Sequence, residues 1–197
     1  MVLTLPDLGP DFAGFAADQK NGVQDLQTAS EQDFDPTGER ADLESAGFAG
    51  GYRNLYQRQA STGTFFAGSG VYVFGTKEGA GKYVSDSRDE LKEYLGKTIG
   101  DLTIKSSSPF DVTVADEAVG GNQDIDIKSS DGSTVTVWYT AVLFRRGRLT
   151  GVTAISAIGP SESEKQRLQG RVGVLAGSLN DRVGSVLAES SPAALAP

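Results

Sequence analysis

The chain has 197 residues, of which 38% are hydrophobic and 22% charged, and its net charge is −8. This composition indicates one globular domain, and the negative charge argues against binding to nucleic acid or to an anionic membrane surface. Because the chain contains no cysteine and no histidine, it cannot form disulfides, zinc sites with thiolate or imidazole ligands, or catalytic triads that use imidazole.

The first part of the chain predicts little regular structure. Residues 1–34 mix proline, glycine and aspartate with isolated apolar residues, which indicates an extended segment that belongs to the domain. We expect short strands in it near 12–17 and 23–28. A helix over 36–46 follows, because an aspartate that can cap a helix comes directly before it, a proline occupies its first position and a glycine comes directly after it.

The middle of the chain predicts a hairpin, a helix and a broken strand. The segments "GYRNLYQRQA" and "GTFFAGSGVYVFG" alternate as strands do and are joined at a Ser-Thr-Gly turn. An amphipathic helix is expected over 77–95, where apolar residues recur every three or four positions. Short strands over 102–105 and 110–114 follow, separated at Pro109 because proline is disfavoured inside a central strand.

The last third of the chain carries the clearest periodicity. Long alternating runs predict three antiparallel strands over 123–129, 134–145 and 148–158, with turns at Ser-Asp-Gly and Arg-Arg-Gly-Arg. A helix over 161–188 follows. Residues 189–197 are small and include proline, which predicts a flexible tail.

These elements predict an α+β fold. We expect a mostly antiparallel sheet of five to seven strands, packed against two main helices in a domain over 35–188. Four segments in chain order, "LESAGFAGGYRNLY", "VYVFGTKEGAGKYV", "VADEAVGG" and "VLFRRGRLTGVTAI", resemble uncharacterised bacterial secreted or lipoprotein domains with a PsbP-like α/β sandwich. The resemblance covers residues 40–187. It implies export to the cell envelope and no catalytic residues.

The stretch "LFRRGRL" concentrates positive charge in an acidic chain, at Arg145, Arg146 and Arg148. One explanation is a hairpin turn, since glycine allows positive φ and charged side chains are common at sheet ends. The alternative is a binding site in which these arginines, together with Trp138, hold an anionic or carbohydrate ligand. Both explanations remain open at this point.

The glycines of the last helix form a second candidate site. They lie opposite the apolar face of that helix, at positions Gly170, Gly173, Gly177 and Gly184. Each glycine in an exposed helix interior costs about 1 kcal/mol relative to alanine. A closely approaching helix, from this chain or another, would explain them as a partner interface. A surface without a partner, on a helix held by its other face, explains them equally well.

We therefore predict a non-catalytic extracellular or cell-envelope module that acts through protein–protein contacts, with a protein partner or with itself. The alternative is a small-molecule or anionic-ligand site near Trp138 and the Arg145–Arg148 turn. A hydrolase that uses carboxylates ranks last, because Asp116 and Glu117 are adjacent and would point to opposite faces of a strand.

The pattern also predicts several absences. We expect no cofactor and no metal, because the aspartates between 124 and 131 lack the spacing of a calcium loop. No run approaches the ~18 apolar residues of a membrane-spanning helix. A membrane tether would require a lipid or a signal outside this chain. A cytoplasmic location stays open.

Overall fold

A computed structural model describes residues 1–31, 33–60, 63–128 and 131–189. The strands are β1 (Ala16–Ala17), β2 (Gly22–Gln24), β3 (Phe48–Ala60), β4 (Gly63–Phe74), β5 (Thr98–Ile99), β6 (Leu102–Phe110), β7 (Glu117–Lys128), β8 (Thr134–Arg146) and β9 (Leu149–Ile158). The helices are α1 (Leu5–Leu8), α2 (Leu26–Ser30), α3 (Pro36–Ala46), α4 (Lys77–Glu93) and α5 (Glu162–Glu189), with a 3-10 turn at Pro10–Phe12.

The predicted α+β class is confirmed. In the described part of the chain nine strands form one antiparallel sheet in the order β1-β3-β4-β9-β8-β7-β6-β5, with β2 beside β3. The predicted number of five to seven was too low. β1 and β2 contain two and three residues and correspond to the short strands expected near 12–17 and 23–28, whereas β5, with two residues, was not predicted. A strand of two residues carries too little alternation to be recognised in a sequence.

The N-terminal segment is less extended than predicted. The strand expected near 12–17 reduces to β1, and the one expected near 23–28 divides into β2 and α2. α2 forms because the Asp25 carboxylate accepts a hydrogen bond from the Thr28 backbone N–H at 2.8 Å and thereby caps the helix. Leu3, Leu8 and Phe12 are buried in the main core, so this segment is part of the domain.

The predicted helices are confirmed with small changes at their ends. α3 begins after Asp35, whose carboxylate accepts a hydrogen bond from the Gly38 backbone N–H at 3.1 Å. It ends at Ala46, and the next residue, Gly47, has a φ of +73°, a backbone conformation that favours glycine. α4 ends at Glu93, two residues before the predicted end, and α5 ends at Glu189. The predicted tail from residue 190 onward lies outside the described residues, as do Ser61 and Thr62 of the first predicted turn.

The predicted break at Pro109 was wrong, because β6 continues through it. β5 pairs with β6 only at Leu102 and Thr103. Among the described residues the outer edge of β6 therefore has no neighbour near Pro109, and proline is tolerated on such an edge. The three-stranded meander is confirmed as β7–β8–β9, although β7 begins six residues earlier than predicted.

The two faces of the sheet are covered differently. On one, the α5 face, α5 and the N-terminal segment pack so closely that Thr140 and Val142 of β8 are 0% exposed. On the other, the α4 face, helices α2, α3 and α4 lie over the strands, yet Ala141 and Leu143 of β8 remain partly exposed. The α5 face is therefore solidly packed and the α4 face encloses free space. No helix in the described residues is long and apolar enough to cross a bilayer.

Candidate functional site: an acidic cavity on the α4 face

A row of small residues crosses four neighbouring strands on the α4 face. The strand register places Gly68 of β4 beside Ala154 of β9, Ala154 beside Ala141 of β8, and Ala141 beside Gly121 of β7. Larger apolar side chains in this row would fill the space between the sheet and the helices. Glycine and alanine leave it open, because nearby side chains fill such gaps only in part.

The open space is a cavity of about 400 Å³ between the sheet and the three helices. β3, β4, β7, β8 and β9 form its floor, while residues of α2, α3, α4 and the segment between α2 and α3 form its roof. Leu91 of α4 closes it above Gly121, where an added Cβ would lie 2.6 Å from a leucine methyl carbon. Its size is in the range of sites that hold small organic molecules.

Three carboxyl groups from three different parts of the chain line the cavity: Asp33, which precedes α3, Glu39 of α3 and Glu90 of α4. The Tyr83 hydroxyl donates a hydrogen bond to Glu39 Oε1 at 2.8 Å, and the Tyr94 hydroxyl donates one to Glu90 Oε1 at 3.2 Å. Within the described residues none of the three carboxyls forms an ion pair with a lysine or an arginine. Their negative charge is therefore not neutralised locally.

This environment disfavours the ionised form of all three acids. Burial, with a contribution from the charge of Asp33, raises the pKa of Glu39 to about 8. Burial and the charges of Asp33 and Asp42 raise the pKa of Glu90 to about 7. Asp33 is exposed as a residue, but protein atoms surround its carboxyl on the cavity side, and this desolvation raises its pKa as well. The cavity therefore gains negative charge as the pH passes through neutrality.

Aromatic rings make up much of the remaining wall. Tyr139 of β8 packs edge-on against Phe34 with ring centres 5.8 Å apart, and its ring is tilted against that of Phe66 at 6.0 Å. Tyr72 of β4 lies 6.2 Å from Tyr83 of α4. The cavity thus combines acidic groups with the faces and edges of several rings.

Several polar groups in the wall have no protein partner. Gln123 of β7 is 4% exposed and lines the cavity, and its side-chain amide makes no hydrogen bond to any described residue. The same holds for the hydroxyls of Tyr72 and Tyr139 in the described structure. Buried polar groups normally have partners. These groups are therefore available to a molecule inside the cavity.

The structure does not bring the four predicted ligand residues together. Arg145 points to the α4 face, where its guanidinium lies 3.2 Å from Asp116. Arg146 points to the α5 face and donates to Asn180 Oδ1 at 2.9 Å. Arg148 is exposed and forms a two-residue turn with Gly147. The predicted strands over 134–145 and 148–158 placed this turn one position earlier, at Arg146 and Gly147.

Trp138 lies apart from the arginine turn. It is 3% exposed and packed beneath α5 on the α5 face. Arg145 lies seven positions further along β8, which at about 3.3 Å per residue is roughly 23 Å. A ligand role for the arginine turn stays a prediction, but Trp138 fills the core beneath α5, away from that turn.

The glycines of α5 lie where a partner could approach. An added Cβ at Gly170, Gly173 or Gly177 would meet no atom within 4 Å. At Gly184 it would lie 2.7 Å from the Arg146 guanidinium, so this position is covered by the protein itself. In the described residues no second helix packs on the first three glycines. The predicted partner interface stays a prediction.

The sequence interpretation missed the cavity residues, although α3 and α4 contain a signal for them. Glu39 falls four and seven positions before Leu43 and Ala46, on the buried stripe of α3. On α4 the cavity-facing stripe is formed by Tyr83, Ser87, Glu90 and Tyr94 at steps of four, three and four. The stripe predicted from apolar spacing was Ala80, Val84, Ser87, Leu91 and Leu95: it included Ser87 and Leu91, which line the cavity, but it missed Glu90 and ended at Leu95, which is 56% exposed. An acidic residue on a buried helical stripe was the available clue.

Comparisons with known proteins connect this fold to one structure over nearly its full length. No protein-family model matches the chain, and no curated protein matches it in sequence. The chain resembles the extracellular domain of PknH from Mycobacterium tuberculosis. The PknH domain matches with a TM-score of 0.56 over 92% of this chain and 93% of its own, at 10% sequence identity. At this identity the likeness shows the fold alone.

A second solved structure is less similar. A protein of unknown function from Pseudomonas aeruginosa matches with a TM-score of 0.31 and 12% identity, over 59% of this chain and 79% of its own. A score this low supports no conclusion. The resemblance to PsbP-like sandwiches also stays a prediction, since neither structure tests it.

Proposed function

We propose that the chain is a non-catalytic binding module that holds a small organic molecule in the cavity of the α4 face. The observation that carries this proposal is a cavity of about 400 Å³ whose wall combines apolar surface with polar groups that have no partner in the described part of the chain. Ligand sites are commonly concave and mostly apolar, with a few polar groups that orient the ligand. The α4 face meets this description, and the solid α5 face does not.

We further propose that the module acts outside the cytoplasm, at the cell envelope or beyond it. The likeness of its fold to the extracellular domain of PknH supports this location. A chain without cysteine also needs no disulfide machinery in an exported setting. Protein–protein contact through the glycines of α5 would be a separate property of the opposite face.

One observation favours a second candidate, an enzyme that uses acid–base chemistry. Glu39, with a pKa of about 8, and Glu90, with a pKa of about 7, have values near neutrality inside a cavity, as general acids and bases do. A binding module returns its ligand unchanged, whereas an enzyme releases a product. The fate of a bound molecule therefore separates the two candidates.

The proposal is tested by screening the full chain against a fragment library with ligand-observed NMR. Ala141→Leu places a larger side chain in the cavity floor and should abolish fragment binding while the protein remains folded. Thr134→Leu adds the same side chain at an exposed position of the same strand and should leave binding unchanged. Fragments that bind both variants equally would show that the cavity is not the site. Bound fragments recovered in altered form would favour the enzyme.

A further inference from the structure

We propose that the ligand of the cavity is an organic ammonium cation. This inference rests on the proposed function and adds the chemical class of the ligand. The observation behind it is that one cavity places three acidic side chains next to aromatic rings and the amide of Gln123. Within the described residues the acidic side chains have no ion-pair partner and the amide has no hydrogen-bond partner.

The charges around the cavity favour a cation. Asp33, Glu39 and Glu90 line it, and among the described residues of its wall the single basic side chain is that of Arg53. The Arg53 guanidinium lies 3.6 Å from Asp18, which offsets its charge, although its buried Nε has no hydrogen-bond partner among the described residues. A cation inside the cavity would meet an excess of carboxyl groups, of which Glu39 is buried and Glu90 half-buried, and attraction between opposite charges is stronger there than in water. The same carboxyl groups, when ionised, would repel an anion.

The aromatic rings favour an ammonium head group over a metal ion. Rings attract cations through their electron-rich faces, and clusters of them bind quaternary ammonium groups. Tyr139, Phe34 and Phe66 form one such cluster, and Tyr72 with Tyr83 extends it on the side nearest Glu39. A hard metal ion would instead require several oxygen ligands at short distance. No group of acidic residues in the described structure has the geometry to hold one.

The buried amide of Gln123 provides an independent indication of a ligand. It is 4% exposed, it lines the cavity, and it has no hydrogen-bond partner among the described residues. The amide borders the open space of the cavity, so a molecule bound there can supply its hydrogen bonds. Its carbonyl oxygen can accept a hydrogen bond from an ammonium group that carries an N–H or from a ligand hydroxyl, and its N–H groups can donate to that hydroxyl. In choline, whose nitrogen carries no hydrogen, the hydroxyl is the group that can bond to the amide.

The test compares three molecules of nearly the same shape that differ in charge. Choline is a cation at every pH, 3,3-dimethylbutan-1-ol is its neutral carbon analogue, and 3,3-dimethylbutanoate is an anion. Their affinities for the full chain are measured by calorimetry at about pH 9, where Glu39 is ionised. We expect choline to bind about tenfold more tightly than the alcohol, and the butanoate to bind most weakly.

Matched variants locate the effect. Glu39→Gln keeps an oxygen that can accept the Tyr83 hydrogen bond but removes the charge, so it should weaken choline about tenfold and leave the alcohol unchanged. Glu90→Gln should do the same. Glu78→Gln removes an equal charge from α4, the helix that also carries Glu90. The Glu78 side chain is 71% exposed, so this variant should change the affinity neither for choline nor for the alcohol.

Each other outcome overturns the inference. Equal affinity for choline and the alcohol would show that charge plays no part, and preference for the butanoate would identify Arg53 as the anchor. In both cases the cavity remains a binding site and only the class of ligand is wrong. If none of the three molecules binds, the ammonium inference fails, and the fragment screen decides separately whether the cavity binds small molecules at all.

Discussion

Replacing Glu39 by glutamine should change how the stability of the protein depends on pH. Glu39 is 8% exposed, and its carboxyl group lies on the inner stripe of α3, where Tyr83 donates a hydrogen bond to it at 2.8 Å. Glutamine has the same shape and keeps an oxygen for that bond, but it cannot ionise. The comparison therefore isolates the charge of one buried group.

The size and sign of the effect follow from the pKa. Burial raises the pKa of Glu39 from 4.5 to about 8 in the folded protein, and the unfolded chain has the ordinary value. Between these two values the folded state holds a proton that the unfolded state has released, so the free energy of unfolding falls as the pH rises through this window. At about 1.4 kcal/mol per pKa unit, the difference amounts to roughly 4 to 5 kcal/mol.

Urea unfolding between pH 5 and pH 9 measures this directly, with the fluorescence of Trp138 as the probe. Trp138 is the single tryptophan of the chain and is 3% exposed, so unfolding transfers its side chain from the protein core to water and changes its fluorescence. The wild type should lose stability more steeply than Glu39→Gln as the pH rises, whereas Glu78→Gln should follow the wild type. Parallel curves for wild type and Glu39→Gln would refute the idea that this carboxyl is desolvated.

Three further predictions concern other parts of the molecule. Gln123→Leu should leave the free energy of unfolding unchanged or raise it by up to about 1 kcal/mol in denaturant titrations, because the amide that it removes makes no hydrogen bond to any described residue; a loss would indicate that the amide is satisfied in the protein. Asp7 accepts hydrogen bonds from Arg182 at 2.8 and 2.9 Å. Burial by itself would raise the pKa of Asp7, but the hydrogen bonds from Arg182 and Thr4 outweigh it and lower the pKa to about 2. Its stabilising contribution is present above pH 3.8 and is lost as the pH falls towards 2, so Asp7→Asn should flatten acid unfolding curves in this range; unchanged curves would contradict the pairing. Gly173→Leu and Gly177→Leu should prevent assembly in light scattering if the glycines of α5 form an interface, and normal assembly of folded variants would argue against one.

The long elements could be predicted because their signals are local. The cap at Asp35 and the glycine at position 47 delimit α3, and the alternation of β8 and β9 predicts a hairpin, each within a few consecutive residues. Pro109 misled the prediction for a non-local reason. Whether proline is tolerated in β6 depends on how far β5 pairs with it, and two residues of pairing cannot be read from the sequence.

The cavity could not be predicted because it depends on register between distant strands. Gly68 and Gly121 are 53 positions apart in sequence, yet they lie in one row because β9 and β8 pair between them. Each of these residues alone is an ordinary small residue in a strand. Glu39 and Glu90 likewise come together through the packing of α3 and α4 on the sheet, and nothing in either helix alone indicates the other.

The free space on the α4 face is tested most directly by one paired stability measurement. Ala141 faces the cavity, whereas Ala67 is 0% exposed in the core of the α5 face. Ala67→Leu should lower the free energy of unfolding by about 1 to 3 kcal/mol, because a packed core does not accept extra carbon atoms without strain. Ala141→Leu should leave it unchanged or raise it by up to about 1 kcal/mol, since the side chain enters open space. A loss at Ala141 as large as that at Ala67 would mean that no such cavity exists.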